Sequence, residues 1–251
     1  MNYGLQLYSV RDAAEQNFAD MLRQVAEMGY RMVEPAGFFG QKAEDVAVML
    51  REYGLTASGT HTGLRALDED FAGTVAYHHA IGCDDLIIPG AHHSTAEELS
   101  AMVEQINRYQ PMLAAEGIRL HYHNHSSEFL PNRSGQIAHD VLAAHTGVLF
   151  ELDTFWAFNA GLSPLELMEK FQGRIRFIHL KDGLRQDFSD PQSKAKGRAL
   201  GEGEAPVAQV RKKAIELGCE IVVESEGLDP TGPDEVRRCI RYLQRLDAAD
   251  A

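Results

Sequence analysis

Residues 85–123 read DLIIPGAHHSTAEELSAMVEQINRYQPMLAAEGIRLHYH, and this single unit sets the fold class. Its apolar ends predict strands over 85–89 and 118–123, and the amphipathic segment between them predicts a helix over 95–116. Gly117 stands between helix and strand, where glycine adopts the left-handed conformation that ends a helix without strain. A strand, a helix and a strand in this order predict two parallel strands joined by a right-handed crossover.

The same unit repeats along the whole chain. Predicted strands cover residues 4–8, 32–35, 55–60, 85–89, 118–123, 148–153, 175–180 and 220–224. Predicted helices lie near residues 17–28, 42–53, 70–81, 95–116, 135–145, 164–171, 205–217 and 233–246. Eight units in 251 residues predict an α/β protein with the (β/α)₈ TIM-barrel fold, as one domain over residues 1–251. An open doubly wound sheet is the alternative, although no GxGxxG turn follows the first strand.

Composition excludes several classes of partner. The chain has 24 Lys and Arg against 37 Asp and Glu, a net charge of −13, which disfavours nucleic acid and anionic membranes. No apolar run approaches the roughly 18 residues that span a bilayer, and the first residues do not resemble a signal peptide. The three cysteines, Cys83, Cys219 and Cys239, form no CxxC pair. We therefore expect a cytoplasmic protein without a membrane partner, and a homo-oligomer remains open.

Carboxylates and imidazoles gather where the predicted strands end. The strand ends read HYHNH at 121–125, ELD at 151–153, HLKD at 179–182 and ESE at 224–226. Barrel enzymes place their chemistry at the carboxyl ends of the strands, and this set of side chains suits a divalent metal ion. A single histidine there is often structural. Asp153 and Glu224 are harder to explain in that way, because each ends an apolar run in which an unpaired charge would be costly.

Together these residues resemble the xylose isomerase-like TIM-barrel superfamily of sugar phosphate isomerases and epimerases. The resemblance covers nearly the whole chain and depends on the order and spacing of several short motifs. These are LQLYSVR at 5–11, YHNH at 122–125, DTFW at 153–156, HLKD at 179–182, LGEGE at 200–204 and VVE at 222–224.

The resemblance implies one divalent metal ion, Mn²⁺, Zn²⁺, Co²⁺ or Mg²⁺, held by Asp153, His179 and Glu224. Relatives supply a fourth ligand, a glutamate on the fifth strand, but this chain has His121 and His123 there. Glu128 in the following loop is the favoured replacement. The alternative is that His123 or His125 binds the metal directly.

The implied chemistry is removal of a proton next to a carbonyl by a metal-dependent isomerase or epimerase of carbohydrate metabolism. Glu224 would act as both ligand and base, and Glu128 as the second group that carries a proton. Lys181 would donate to a substrate oxygen, or would simply form an ion pair with Asp182 or Glu151.

The expected ligand is a small sugar, and His61, His123, His125 and Trp156 are its predicted contacts. Relatives have a histidine where this chain has Trp156, and an indole offers a flat surface for stacking against a sugar ring. Acidic residues in the loops after strands seven and eight, Asp182 and Glu226, would repel a phosphate. We therefore expect a neutral keto sugar or glycoside.

Three other functions compete with this one. The same site could serve a lyase that dehydrates an inosose-like or keto-glycoside substrate. A barrel that binds sugar without catalysis would explain the departure on the fifth strand. An endonuclease IV-like DNA repair enzyme belongs to the same superfamily, but the net charge of −13 disfavours it.

Overall fold

The computed structural model describes residues 1–250 and forms a parallel barrel surrounded by helices. The strands are β1 (Gly4–Gln6), β2 (Met32–Glu34), β3 (Thr56–Ala57), β4 (Thr60–His61), β5 (Asp85–Ile88), β6 (Arg119–His123), β7 (Leu149–Asp153), β8 (Ile175–Leu180), β9 (Asp182–Leu184), β10 (Lys196–Arg198) and β11 (Glu220–Val223). The main sheet has the strand order β3-β2-β1-β11-β8-β7-β6-β5-β4. Pairing between neighbours within the main sheet is parallel throughout residues 1–250, which confirms the predicted barrel.

The sheet closes through one strand that is split in two. β3 pairs with β2 and β4 pairs with β5, and these two pieces are separated in the chain by only Ser58 and Gly59. A Cβ atom at Gly59 would collide with the side chain of Ile87. Glycine therefore permits the close approach of neighbouring strands at the point where the barrel closes.

The helices cover the outside of the barrel. They are α1 (Arg11–Ala14), α2 (Phe18–Met28), α3 (Ala43–Tyr53), α4 (Leu64–Ile81), α5 (Ala96–Ala115), α6 (Ala138–His145), α7 (Thr154–Asn159), α8 (Pro164–Lys170), α9 (Val207–Leu217) and α10 (Gly232–Asp250). α2 buries Phe18, Met21, Leu22 and Val25, the apolar face that its spacing predicts. No helix within residues 1–250 is both long and apolar enough to cross a membrane.

Three features differ from the sequence prediction. β9 and β10 form an antiparallel hairpin after the seventh barrel strand, and the short helices α1 and α7 follow strand ends. α4 begins at Leu64 rather than near residue 70, where the prediction placed it. Asp70 interrupts it with φ −154° and ψ 79°, and its carboxylate accepts a hydrogen bond from the Gly73 N–H at 2.8 Å. The predicted start near residue 70 is therefore the start of the second half of a broken helix.

The interior of the barrel changes from apolar to charged along its axis. Ile87, Phe177 and Val222 form a small buried apolar cluster inside it. His179 follows Phe177 by two residues in the chain, and Glu224 follows Val222 by two residues; both are also buried. The apolar layer therefore forms the floor on which the charged side chains stand, at the end of the barrel that carries active sites in this fold.

Candidate metal centre and active site

Four side chains from four neighbouring strands converge at the carboxyl end of the barrel. His123 ends β6, Asp153 ends β7, His179 lies near the end of β8 and Glu224 directly follows β11. One nitrogen or oxygen atom from each lies within 4.8 Å of the others, and all four residues are buried. The structure thus brings together the three predicted ligands Asp153, His179 and Glu224, and adds His123 as the fourth member.

Asp153 is fixed by its neighbours so that one carboxylate oxygen is free. Its Oδ1 accepts the Trp156 N–H at 2.8 Å and caps α7. Asn124 and Asp153 exchange two hydrogen bonds, in which the Asn124 amide meets the Asp153 main chain at 3.1 Å each. The other carboxylate oxygen, Oδ2, lies 3.6 Å from His123 Nε2. The backbone therefore holds the carboxylate with Oδ2 directed into the group.

Several polar atoms of this group have no hydrogen-bond partner among residues 1–250. These are both ring nitrogens of His123, Oδ2 of Asp153 and Nδ1 of His179. Buried polar atoms in folded proteins are nearly always partnered, so four such atoms together require an explanation. Burial, reinforced by the nearby imidazoles of His179 and His61, lowers the pKa of His123 to about 3, which leaves its ring neutral with a free lone pair. This donor set fits a divalent cation.

The opposite nitrogen of His179 is held by two carboxylates. Nε2 lies 2.8 Å from Glu34 Oε1 and 3.2 Å from Glu151 Oε2. Glu34 also accepts a hydrogen bond from the Gln6 amide at 2.6 Å, and Glu151 is 2.8 Å from His61 Nε2. When Nδ1 of His179 binds an ion, these carboxylates would hold the remaining ring proton on Nε2, as carboxylates behind metal-binding histidines commonly do.

The two carboxylates behind His179 differ in charge. Burial and the charge of Glu151 raise the pKa of Glu34 to about 7. Burial also opposes ionisation of Glu151, but His179 and His61 lower its pKa well below the usual value. The same carboxylates raise the pKa of His179 against the effect of burial. Glu34 was not among the predicted site residues. A glutamate that ends the apolar strand β2 is nevertheless a sequence signal for a role in the site.

Lys181 packs against Glu224 rather than the partners that the sequence suggested. Its Nζ lies 3.2 Å from Glu224 Oε2 and forms an ion pair with Glu226. Asp182, one of the suggested partners, instead accepts backbone N–H groups of residues 183, 201, 203 and 205. Burial would raise the pKa of Glu224, but Lys181 and His179 hold it well below its usual value. Glu224 is therefore an ionised carboxylate.

The loop at 200–204 owes its shape to Asp182. A Cβ atom at Gly203 would collide with the Asp182 carboxylate and with the backbone at Gly183. Gly201 has φ 84°, in the left-handed region that favours glycine. The LGEGE motif at 200–204 is therefore a tight turn at the mouth of the barrel, and it is packed against β9.

Glu128 occupies a separate contact network beside the group. Its carboxylate lies 3.2 Å from His93 Nε2 and accepts the His125 N–H at 2.9 Å and the Tyr122 hydroxyl at 3.2 Å. Burial would raise the pKa of Glu128, but its hydrogen bond to His93 and the nearby imidazoles lower it to about 2. Within residues 1–250 two sets of side chains could hold a metal ion, the group described above and a second set of His61, His123, Glu151 and His179, and Glu128 belongs to neither. Its predicted roles as ligand and proton carrier stay predictions, and the geometry favours the alternative ligand His123.

A cavity of about 470 Å³ opens above the group. Its walls include three of the predicted substrate contacts, His61, His123 and His125, together with Glu224 and Glu226. Tyr8 also lines the cavity and is 44% exposed. It belongs to the LQLYSVR motif at 5–11 but was not among the predicted site residues, although an aromatic residue after the first strand is a signal for such a role.

Trp156 stands behind this wall. Its ring centroid is 5.7 Å from that of His125, and the Lys181 Nζ lies 4.5 Å from the centre of the indole. One indole face is therefore occupied by a cation, and Trp156 is not among the residues that line the cavity. Its predicted stacking against a sugar ring stays a prediction.

A family model described as xylose isomerase-like TIM barrel matches residues 22–246. The chain belongs to the xylose isomerase-like TIM-barrel family. This confirms the resemblance that the motifs indicated and makes a role as an enzyme the expected one for the family.

Several known proteins are similar to this chain. An inosose dehydratase of Geobacillus kaustophilus is 25% identical over 192 residues, which cover 66% of this chain and 62% of that protein. A sugar phosphate isomerase/epimerase of Parabacteroides distasonis has a crystal structure that matches with a TM-score of 0.82 and 24% identity, over 97% of this chain and 98% of that one. The probable 3-DHS dehydratase of Bacillus anthracis matches with a TM-score of 0.75 and 14% identity, over 97% and 99%.

Proposed function

We propose that the protein is a divalent-metal-dependent enzyme that removes a proton from the carbon next to a carbonyl in a neutral keto sugar or keto glycoside. The observation that carries this proposal is the convergence of His123, Asp153, His179 and Glu224, with unpartnered buried atoms, below a polar cavity. These four residues would hold the ion. When bound, a divalent cation acts as a Lewis acid and stabilises the enediolate that proton removal creates.

The residues of the chain have distinct parts in this reaction. Glu224 is ionised and lines the cavity, so it can accept the proton from a substrate carbon. The positive charge of Lys181, whose Nζ lies 3.2 Å from Glu224 Oε2, keeps that carboxylate ionised. His61 and His125 lie in the cavity wall, where their ring nitrogens can meet substrate hydroxyls. The neutral character of the substrate follows from a lining with two carboxylates and, within residues 1–250, no Lys or Arg.

The fate of the enediolate decides the overall reaction. Return of the proton to the opposite face gives an epimer, return to the neighbouring carbon gives an isomer, and loss of a β-hydroxyl gives a dehydrated product. Dehydration is the second candidate function, and the similarity to an inosose dehydratase is the observation that favours it. All three reactions share the first step, which is the step that the site geometry supports.

The test is hydrogen exchange in D₂O with protein loaded with Mn²⁺ or Co²⁺. Neutral keto sugars and an inosose are incubated with the protein, and ¹H NMR follows the proton next to each carbonyl. We expect loss of that signal with wild type and no loss with Glu224→Gln, while the exposed-site control Glu52→Gln behaves as wild type. A product lacking the elements of water would identify a dehydratase. No exchange across the panel by fully loaded protein would overturn the proposal.

A further inference from the structure

A second cavity lies directly beside the site cavity and is of similar size. It has a volume of about 480 Å³ against about 470 Å³, and the two share Gly37 and His61 in their walls. The second cavity lies between the loop that follows β2 and helix α4, which lines it from Ala66 to His78. The two cavities are therefore neighbours, with His61 in the wall that they share.

We propose that this second cavity binds the second ring of a glycoside whose first ring occupies the site cavity. The inference rests on the proposed function and names its substrate class, a neutral keto glycoside of at least two rings. Its observational basis is the aromatic and hydroxyl lining of the second cavity and its shared wall with the first.

One wall of the second cavity is an aromatic pair. The rings of Phe38 and Tyr77 stack with their centroids 3.9 Å apart and their planes 29° apart, and both residues are half-buried. The Tyr77 hydroxyl donates to the Gln41 carbonyl at 3.1 Å, which ties the loop to α4. Aromatic rings fixed in this way offer apolar surface to the C–H face of a sugar ring.

The other wall supplies two neutral hydroxyl groups and one carboxylate. Thr62 and Thr74 line the cavity, and the Thr62 hydroxyl lies 2.9 Å from that of Thr60. Asp70 also lines it, at the break in α4. Within residues 1–250 the lining contains no Lys or Arg, so an anionic group would find no partner there, whereas sugar hydroxyls would. An uncharged ring is therefore the occupant that the wall fits.

Filling the second cavity tests the proposal. Ala66 lies on α4 in the cavity wall and is half-buried, whereas Ala72 lies on the same helix, is exposed and is not in that wall. Ala66→Phe should lower kcat/KM for a keto disaccharide at least tenfold and change kcat/KM for the matching keto methyl glycoside less than twofold. Ala72→Phe should change neither. Equal effects of Ala66→Phe on both substrates would overturn the proposal.

A binding experiment separates this inference from the proposed reaction. Saturation-transfer NMR measures the binding of unreactive maltose and cellobiose, with the methyl glucosides as one-ring probes, to metal-loaded protein. We expect tighter binding of a disaccharide than of its one-ring probe by wild type, and loss of that difference in Ala66→Phe but not in Ala72→Phe. That result without turnover of any keto sugar would uphold the second-ring site and reject the reaction. No preference for two rings in wild type, or an unchanged preference in Ala66→Phe, would overturn the second-ring site even if the reaction is found.

Discussion

Replacing Asp153 with asparagine should stabilise the metal-free protein and at the same time abolish metal binding. Burial, with the charge of Glu224, raises the pKa of Asp153 from 3.8 to about 6, against the opposing effect of Lys181. The ionised side chain therefore disfavours the folded state. Since one pKa unit corresponds to about 1.4 kcal/mol, the difference amounts to about 3 kcal/mol in the free energy of unfolding.

The sign of the effect follows from the direction of the pKa change. Below about pH 4 the carboxyl is protonated in both states and contributes nothing. As the pH rises from about 4 to about 6 the unfolded chain ionises more readily, so the folded state loses stability, and the full loss is present above pH 6. Asparagine removes this loss, and its side-chain oxygen can still accept the Trp156 N–H that caps α7.

Asp85 provides a matched control of opposite sign. It is also a buried aspartate, but it lies at the start of β5, where His121 Nε2 is 2.7 Å away and Arg119 donates two hydrogen bonds. Burial opposes ionisation, yet these partners lower the pKa of Asp85 to about 2. Asp85→Asn should therefore lower the free energy of unfolding by about 2 kcal/mol above pH 4, an effect that fades as the pH falls from about 4 to about 2.

Urea unfolding of EDTA-treated wild type and both variants between pH 4 and pH 8 measures these differences. A thermal shift on addition of Mn²⁺ or Co²⁺ then reports metal binding, which should be present in wild type and Asp85→Asn and absent in Asp153→Asn. If Asp153→Asn destabilises the metal-free protein as Asp85→Asn does, the ionised Asp153 side chain does not disfavour the folded state and the prediction is wrong.

The remaining predictions concern the other contacts of the site. His123→Ala should lose the metal in equilibrium dialysis. Glu128→Gln should keep it, because the Glu128 carboxylate forms an ion pair with His93. The reverse result would make Glu128 the fourth ligand. Glu34→Gln should weaken metal affinity roughly 10- to 100-fold, because Glu34 Oε1 lies 2.8 Å from His179 Nε2, whereas Glu52→Gln should not; equal affinities would contradict this role of Glu34. Finally, kcat/KM should be higher for a neutral keto sugar than for its phosphate ester, and a preference for the ester would contradict the acidic lining of the cavity.

Much of the barrel can be predicted from the sequence, because each strand and its helix form a local pattern. The predicted strands overlap all the barrel strands. Two of the metal-compatible side chains, Asp153 and Glu224, stand out as polar residues that end apolar runs, and the resemblance to the family adds His179. The hairpin β9–β10 was not predicted, since residues 182–198 show neither strand alternation nor helical spacing. The pairing of this hairpin depends on Asp182, which accepts hydrogen bonds from the Gly201 and Gly203 N–H groups of the turn at 200–204.

Other parts of the site depend on contacts between distant residues. Glu34 acquires its role only because His179, 145 residues away in the chain, lies against it. Glu128 lies in a short turn over Ser127–Phe129, and the turn places its carboxylate near His93 instead of the four converging side chains. The resemblance to the family limits the candidates for the fourth ligand to Glu128, His123 and His125, but the choice among them requires the three-dimensional path of the chain.

In the proposed enzyme, His123, Asp153, His179 and Glu224 together hold one divalent ion. Anomalous diffraction from crystals of protein loaded with Co²⁺ or Mn²⁺ would locate that ion, since the signal comes from the ion itself. We expect one strong peak per chain at a coordination distance of roughly 2.0–2.3 Å from all four side chains. A peak beside Glu128 and His93, or no peak among these four residues, would contradict the claim.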